Sequence, residues 1–455
     1  MFDRRKILLA AAAGAIVPSW GLAQSGANDL AEAQRQLIFG TGAAFDAAAE
    51  LIIAHGQADI AAGLILAMRY SRRPHAEFVE LLEQVTGTQA GGDWNDWMLW
   101  QESHPELVPH ASYAELKRDV FLRIDPNFDD FLRPEFIARD RMHIRLEEIV
   151  WGGVSKDGIP SLDNPELIAA DAADYLRDDD LIFGVAINGD IRAYPLRIMG
   201  WHEMFNDVIG GVPVALAYCT LCGSGILFET DVEGRAAPLV FGSSGFLYRS
   251  NKLMFDRGSN SLWNQFTGKP VVGPMVNSGI ELRQRPVVIT TWSDWRGTNP
   301  TTQVLSLQTG HRRDYGSGVV YNNYFASDDL MFPALVDQSE FGQKSYVFGI
   351  RVQGEAKAWP LKYFDGPTVI NDEIAGVPVV LIGDAQTRTV RAYKRRERNF
   401  SRDSRGIISD DGGLWAVSED ALISGDISLP RMAGHIAYWF AWNNYLGAES
   451  EIYRG

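Results

Sequence analysis

A chain of 455 residues that is 46% hydrophobic and carries 13 tryptophans can bury an extensive core, which excludes a disordered chain and predicts two or three domains. Its 42 basic and 58 acidic side chains leave a net charge of −16, the wrong sign for a phosphate backbone, so nucleic acid is not an expected partner. Two cysteines are too few for a four-thiolate zinc or iron–sulfur site within one chain.

The first 23 residues read as an export signal. Asp3-Arg4-Arg5-Lys6 is followed by an apolar run to Val17, and Gly21-Leu22-Ala23 supplies small residues for cleavage before Gln24. The twin arginines point to twin-arginine export and hence to a periplasmic or extracellular location. The apolar run is shorter than the ~20 residues of a spanning helix, and no later stretch is longer, so no membrane span is expected after cleavage. Export of folded chains by this route raises the expectation of a cofactor loaded beforehand.

From residue 24 to 148 the pattern is helical. Apolar residues recur at three-and-four spacing, as in Phe45, Ala49, Ile52 and Ile53, and a solenoid-like domain is predicted. Its histidines, His55, His75, His104, His110 and His143, fall in no ligand-spaced group.

At Trp151-Gly152-Gly153 the composition turns to Gly, Asp and Pro and the periodicity to that of strands. A first α+β repeat is expected over 149–335. Leu181–Ile187 and Ile191–Leu196 form a hairpin around Asn188-Gly189, which readily supplies positive φ at both turn positions. Met199–Val208 is read as one short helix, and Val212–Tyr218 as a buried strand ending at Cys219. Further strands are expected at Gly225–Thr230, Leu239–Phe241, Phe246–Phe255 and Val287–Thr291, with Gly242-Ser243-Ser244-Gly245 as a tight turn. A second α+β repeat, without a site of its own, fills 336–455 and closes on the aromatic run Tyr438-Trp439-Phe440-Ala441-Trp442, preceded by His435 as a reserve ligand. The fold class is therefore α+β: an all-helical N-terminal domain, then a β-rich body of two duplicated, unequal α+β repeats.

Duplication is read from an ungapped alignment of 183–214 with 348–379, in which 13 of 32 positions are identical. The first copy holds His202 and runs on into Tyr218-Cys219-Thr220-Leu221-Cys222-Gly223. At the corresponding positions the second copy has Pro367, Asp384 and Thr387 for His202, Cys219 and Cys222. Asn206, Asp207, Tyr194 and Pro195 persist in the second copy, as Asn371, Asp372, Trp359 and Pro360, and so belong to the fold rather than to the chemistry.

Cys219 and Cys222 sit C-x-x-C at the end of a strand. A thioredoxin-type pair opens a helix, whose dipole stabilises the thiolate, but Gly223-Ser224-Gly225 here favours a turn into another strand. Two sulfurs with a histidine from a neighbouring helix suit copper, with zinc or iron as further metals. His202 is the expected third ligand, Met254 a thioether candidate that also reads as core, and Glu203 a proton acceptor or partner of the ligands.

The motifs Trp151-Gly152-Gly153, Asp157-Gly158-Ile159-Pro160, Trp201-His202-Glu203, Tyr218 to Gly223 and Ser250-Asn251-Lys252-Leu253-Met254 resemble those of the bacterial family catalogued as domain of unknown function 3179. The resemblance covers roughly 150–445. It implies the domain boundaries and the importance of the Cys/His motif but supplies no reaction. The residues themselves leave three expectations. One is an exported copper protein with oxidation or electron-transfer chemistry, a metal-dependent oxidoreductase acting on an unknown small-molecule substrate or redox partner. The others are a copper-binding and delivery module without turnover, and a dithiol–disulfide protein.

Overall fold

The structure, a computed structural model, describes residues 19–455; the basic start and apolar core of the expected export signal, residues 1–18, lie outside the described residues. The chain forms two compact units, one of residues 19–97 with Glu106–Lys117 and one of Met98–Pro105 with Arg118–Gly455.

The first unit is helical. Its helices are α1 (Ser19–Phe39), α2 (Ala43–His55), α3 (Ala61–Tyr70), α4 (His75–Thr86) and the opening turns of α5 (Trp94–Ser103) and α6 (Tyr113–Ile124). The sequence of α3, Ala-Ala-Gly-Leu-Ile-Leu-Ala-Met, is apolar all round, and every one of these residues is buried, as expected of a central helix. Gly87, left-handed at φ 70°, ends α4. Among the described residues no helix is long and apolar enough to cross a membrane.

The second unit is rich in strands from Ile149 onward. The expected hairpin is present as β1 (Leu181–Ile187) and β2 (Asp190–Pro195), with Asn188 at φ 51° and Gly189 at φ 84°. Then follow α7 (Leu196–His202), β3 (Met204–Ile209), β4 (Val212–Cys219) and β5 (Ser224–Glu229), the three strands pairing antiparallel in chain order. The helix read over Met199–Val208 is thus half helix and half strand. Glu203, at φ 54°, reverses the chain between them.

A second antiparallel sheet contains β6 (Phe241–Tyr248) and β7 (Asn251–Asp256). Two expectations change here. Gly242-Ser243-Ser244-Gly245 lies inside β6 rather than in a turn, and the run read as one strand over Phe246–Phe255 bends back at Arg249-Ser250, where φ is 49° and 60°. Two non-glycine residues in a turn of this hand are not signalled by sequence, because Asn-Gly is its usual mark.

Later elements include β8 (Val288–Thr291), α8 (Trp292–Thr298) and β9 (Gln303–Leu305), then β10 (Tyr346–Val352), β11 (Glu355–Pro360), β12 (Thr368–Ile374), β13 (Val377–Asp384), β14 (Thr389–Lys394), β15 (His435–Tyr438), α9 (Trp439–Leu446) and β16 (Ser450–Ile452). β8 lies antiparallel beside β1 and β9 parallel beside β2. β15 lies antiparallel beside β10 and β16 parallel beside β11. Aligned residues make matching bonds. The Tyr194 hydroxyl and Arg192 donate to Asp207, while the Trp359 indole and Lys357 donate to Asp372. Asn206 exchanges two hydrogen bonds with the Phe241 backbone, and Asn371 does the same with Phe400. One apolar core runs through both halves, from Phe183, Phe205 and Leu216 to Phe348, Trp359 and Leu381, and the Cys219–Cys222 turn emerges from it.

Candidate functional site

The two cysteines stand on a tight turn that closes β4 onto β5. The Cys222 amide donates to the Cys219 carbonyl at 3.2 Å, and Gly223 takes φ 60° to enter the next strand. A side chain at Gly223 would press on the rings of Tyr346 and Tyr438, so glycine serves both the turn and the close approach. The Sγ atoms face each other at 2.6 Å, both thiols are free, and both are buried. Burial first, and the neighbouring Cys219 sulfur second, push the Cys222 thiol well above its ordinary pKa.

The β6–β7 turn faces the sulfurs. Cys222 Sγ lies 3.1 Å from Asn251 Oδ1 and 3.4 Å from the Ser250 carbonyl, both acceptors for its S–H. Asn251 Oδ1 also accepts from the Lys252 amide, which fixes the side chain's orientation, while its Nδ2 is buried with no hydrogen-bond partner among the described residues. An unused buried donor beside a thiol is poised to meet negative charge on sulfur or on a ligand.

Glu203 holds the motif from the other side. Its Oε1 accepts from the Thr220 hydroxyl at 2.7 Å, and its Oε2 pairs with Lys252 Nζ at 3.1 Å. Both partners of that ion pair are buried, a cost that selection sustains most readily at sites of function or specificity. Its backbone, left-handed at φ 54° without being glycine, marks the same place as strained.

Between β9 and β10 a strap, residues 306–345, carries one short helix, Asn322–Ala326, and lies across this turn. The Tyr324 hydroxyl donates to the Leu221 carbonyl at 2.7 Å, and Ser250 Oγ donates to the Phe332 and Pro333 carbonyls at 2.8 and 3.0 Å. Trp201 and His202 anchor the front of the strap. The Trp201 indole donates to the Asp314 carbonyl at 2.8 Å. His202 Nδ1 meets the Pro160 carbonyl at 2.9 Å and Nε2 the Tyr315 hydroxyl at 2.6 Å. Burial holds the His202 pKa down to about 4, so the ring is neutral at ordinary pH and gives Nδ1–H to Pro160 while Nε2 accepts from Tyr315.

The expected ligand set is therefore only partly assembled. Cys219 and Cys222 come together and Glu203 reaches their turn through Thr220, whereas both ring nitrogens of His202 are engaged elsewhere and Met254 is buried in β7 opposite Ser243 and Trp263. His435, the reserve candidate, is buried against Phe266 and Trp442, with Nδ1 near the Gln284 amide. Among the described residues no group of three or more His, Cys, Asp or Glu is arranged to hold a metal ion. The ring of His202 instead ties the strap, through Tyr315, to the helix that precedes Glu203.

Lys252 and Asn251 join the site although sequence reasoning assigned a role in this segment to Met254 alone. The available signal was a lysine inside an apolar strand, which has to find a partner if it is buried. The second half, expected to have no site of its own, supplies Tyr346 and Tyr438 as walls, and the Tyr438 amide donates to the Cys222 carbonyl at 2.8 Å.

A cavity of about 260 Å³ lies behind the turn, between the strap and the body, with Tyr218, Gly223, Tyr346 and Arg388 among its walls. No curated protein and no solved structure matches the chain. The family model described as protein of unknown function (DUF3179) matches residues 156–449, a span that takes in the cysteine turn, Glu203, Lys252 and the strap, and the chain belongs to that family.

Proposed function

We propose that Cys219 and Cys222 form a redox dithiol that exchanges with a small-molecule disulfide. The observation that carries this reading is the contact of two buried free thiols at 2.6 Å, with no third metal-binding side chain grouped with them among the described residues. One thiol, giving its proton to Glu203, attacks a sulfur of the incoming disulfide and releases the first thiolate, which takes that proton. The second cysteine, deprotonated in its turn, attacks the mixed disulfide, forms the Sγ–Sγ bond and releases the second thiol. Two thiols on the protein thus become one disulfide, and one small disulfide becomes two thiols. Glu203 is assigned the proton because it is the buried carboxylate bonded to the hydroxyl of Thr220, the residue that follows Cys219 in the turn. The unused amide of Asn251 suits the thiolate formed on the way.

Copper is the second reading, favoured by the convergence of two soft sulfurs in a dry site. A two-thiolate set suits Cu(I), without requiring His202 or Met254, whereas zinc and iron would need further ligands. Export by the twin-arginine route into the periplasm or beyond rests on the N-terminal sequence and fits either reading, since disulfides persist in such compartments. Duplication of the two halves is supported by the paired hydrogen bonds and by the equivalent positions of β8–α8–β9 and β15–α9–β16.

Thiol titration of protein purified after native export decides between the readings. The expected result is two thiols per chain after reduction, which disappear on treatment with oxidised glutathione and return with reductant. Cys222→Ser should leave one thiol and no intramolecular couple. Two thiols that never oxidise would sink the dithiol reading, and stoichiometric copper lost in Cys222→Ser would establish the alternative.

A further inference from the structure

We propose that the cavity behind the cysteine turn is a binding site for a small organic carboxylate with an apolar body, held by Arg388. The cavity, of about 260 Å³, is formed on one side by strap residues such as Val320 and Phe325, and on the other by Tyr218, Gly223, Tyr346 and Arg388. Its volume lies just below the ~300–1,000 Å³ usual for ligand pockets, which limits the ligand to a small molecule. Tyr218 and Gly223 flank the two cysteines in sequence, so a bound molecule would rest against the motif itself.

The charges in the wall select the ligand. Asp180 and Arg197 neutralise each other at 2.9 Å, and Asp180 also accepts from Ser317 Oγ at 2.7 Å. Asp179 stands exposed at the rim. Arg388 makes no salt bridge among the described residues. Its guanidinium stacks 4.5 Å from the centre of the Tyr346 ring, which orients its edge without using its charge. A planar guanidinium with free N–H donors matches a carboxylate in a bidentate pair, and the rings and aliphatic side chains beside it suit an apolar body. Arg388 itself occupies a left-handed turn residue, φ 54°, between β13 and β14, a conformation costly for a non-glycine residue and therefore informative. The second half, which lacks the cysteines, thus contributes the anion-binding group to the site of the first.

This inference rests on the dithiol reading only in treating the ligand as a candidate substrate; the binding itself stands apart from it. Calorimetric titration of the full chain with benzoate, benzamide and inorganic phosphate tests it. Benzoate should bind one per chain, and benzamide and phosphate at least tenfold more weakly. Arg388→Gln should weaken benzoate at least tenfold while Arg388→Lys retains part of the affinity, with circular dichroism checking that each variant is folded. Should Arg388→Gln not fold, the benzoate and benzamide comparison on the unaltered chain still decides. No benzoate binding, equal binding of benzamide or phosphate, or folded Arg388→Gln binding benzoate as before would each overturn the proposal. Calorimetry reads the carboxylate site and thiol titration reads the redox couple, so failure of the redox chemistry and failure of the carboxylate site are read separately.

Discussion

Glu203 and Lys252 concentrate the conflict between stability and chemistry in one contact. Taking two charges out of water costs several kcal/mol each, which their attraction offsets only while both are present and hydrogen-bonded. Glu203 adds bonds from Thr220 and Tyr321, the latter at 3.4 Å, and so leaves few lone pairs unused. Lys252→Met, which leaves the carboxylate buried without its partner, is expected to lower unfolding stability by about 3–5 kcal/mol in urea titrations. The double variant Glu203→Gln with Lys252→Met should recover much of that loss while slowing oxidation of the thiols by oxidised glutathione. If the single and double variants lose stability equally, the pair is not the coupled unit described.

At the scale of elements, α7 and the strap act together. The helix is short, seven residues, because Glu203 turns left-handed at its end, and this places Trp201, His202 and Glu203 in three directions. Two of them hold the strap and the third holds the cysteine turn. Arg197, from the same helix, donates to the Tyr315 carbonyl at 2.6 Å, so four residues of one helix and its cap tie two segments together. A connection of this length with so little regular structure is uncommon unless it serves a site. His202→Ala is expected to loosen the strap and to raise the rate of thiol labelling by a water-soluble reagent at least several-fold, with the thiol count unchanged. An unaltered labelling rate in a folded variant would show that the latch does not control access.

For the whole molecule, acid sensitivity follows from two buried histidines. Burial lowers His202 to about 4 and His435 to about 3, against about 6.5 in an unfolded chain. Between these values the unfolded state binds more protons than the folded one, so stability is complete above pH ~6.5 and declines as the pH falls toward 4 and then 3. Each unit of depression corresponds to about 1.4 kcal/mol, enough for two such groups to matter against a typical folding free energy. Urea unfolding at pH 7, 5.5 and 4 should show the decline, and His435→Gln should flatten it. A profile that is level from pH 6.5 to 4.5 would contradict the burial of both rings as neutral groups.

The sequence alone determined whatever depends on local chemistry. Asn188-Gly189 marks its hairpin because that dipeptide accepts positive φ at both positions, and the C-x-x-C turn was legible because Gly223 and Gly225 follow it. Comparison of aligned segments separated Asp207 and Asn206, which hold the fold, from the cysteines and Glu203. Only the tertiary structure decided which groups meet. His202 and Glu203 are adjacent in sequence, yet the turn at Glu203 sends one to Tyr315 and the other to Thr220 and Lys252. Lys252 and Arg388 lie 49 and 185 residues after Glu203, too far for any spacing rule to join them. Periodicity reports which face of an element is buried, but partner choice among buried polar groups is settled by the packing of distant segments, which no local pattern encodes.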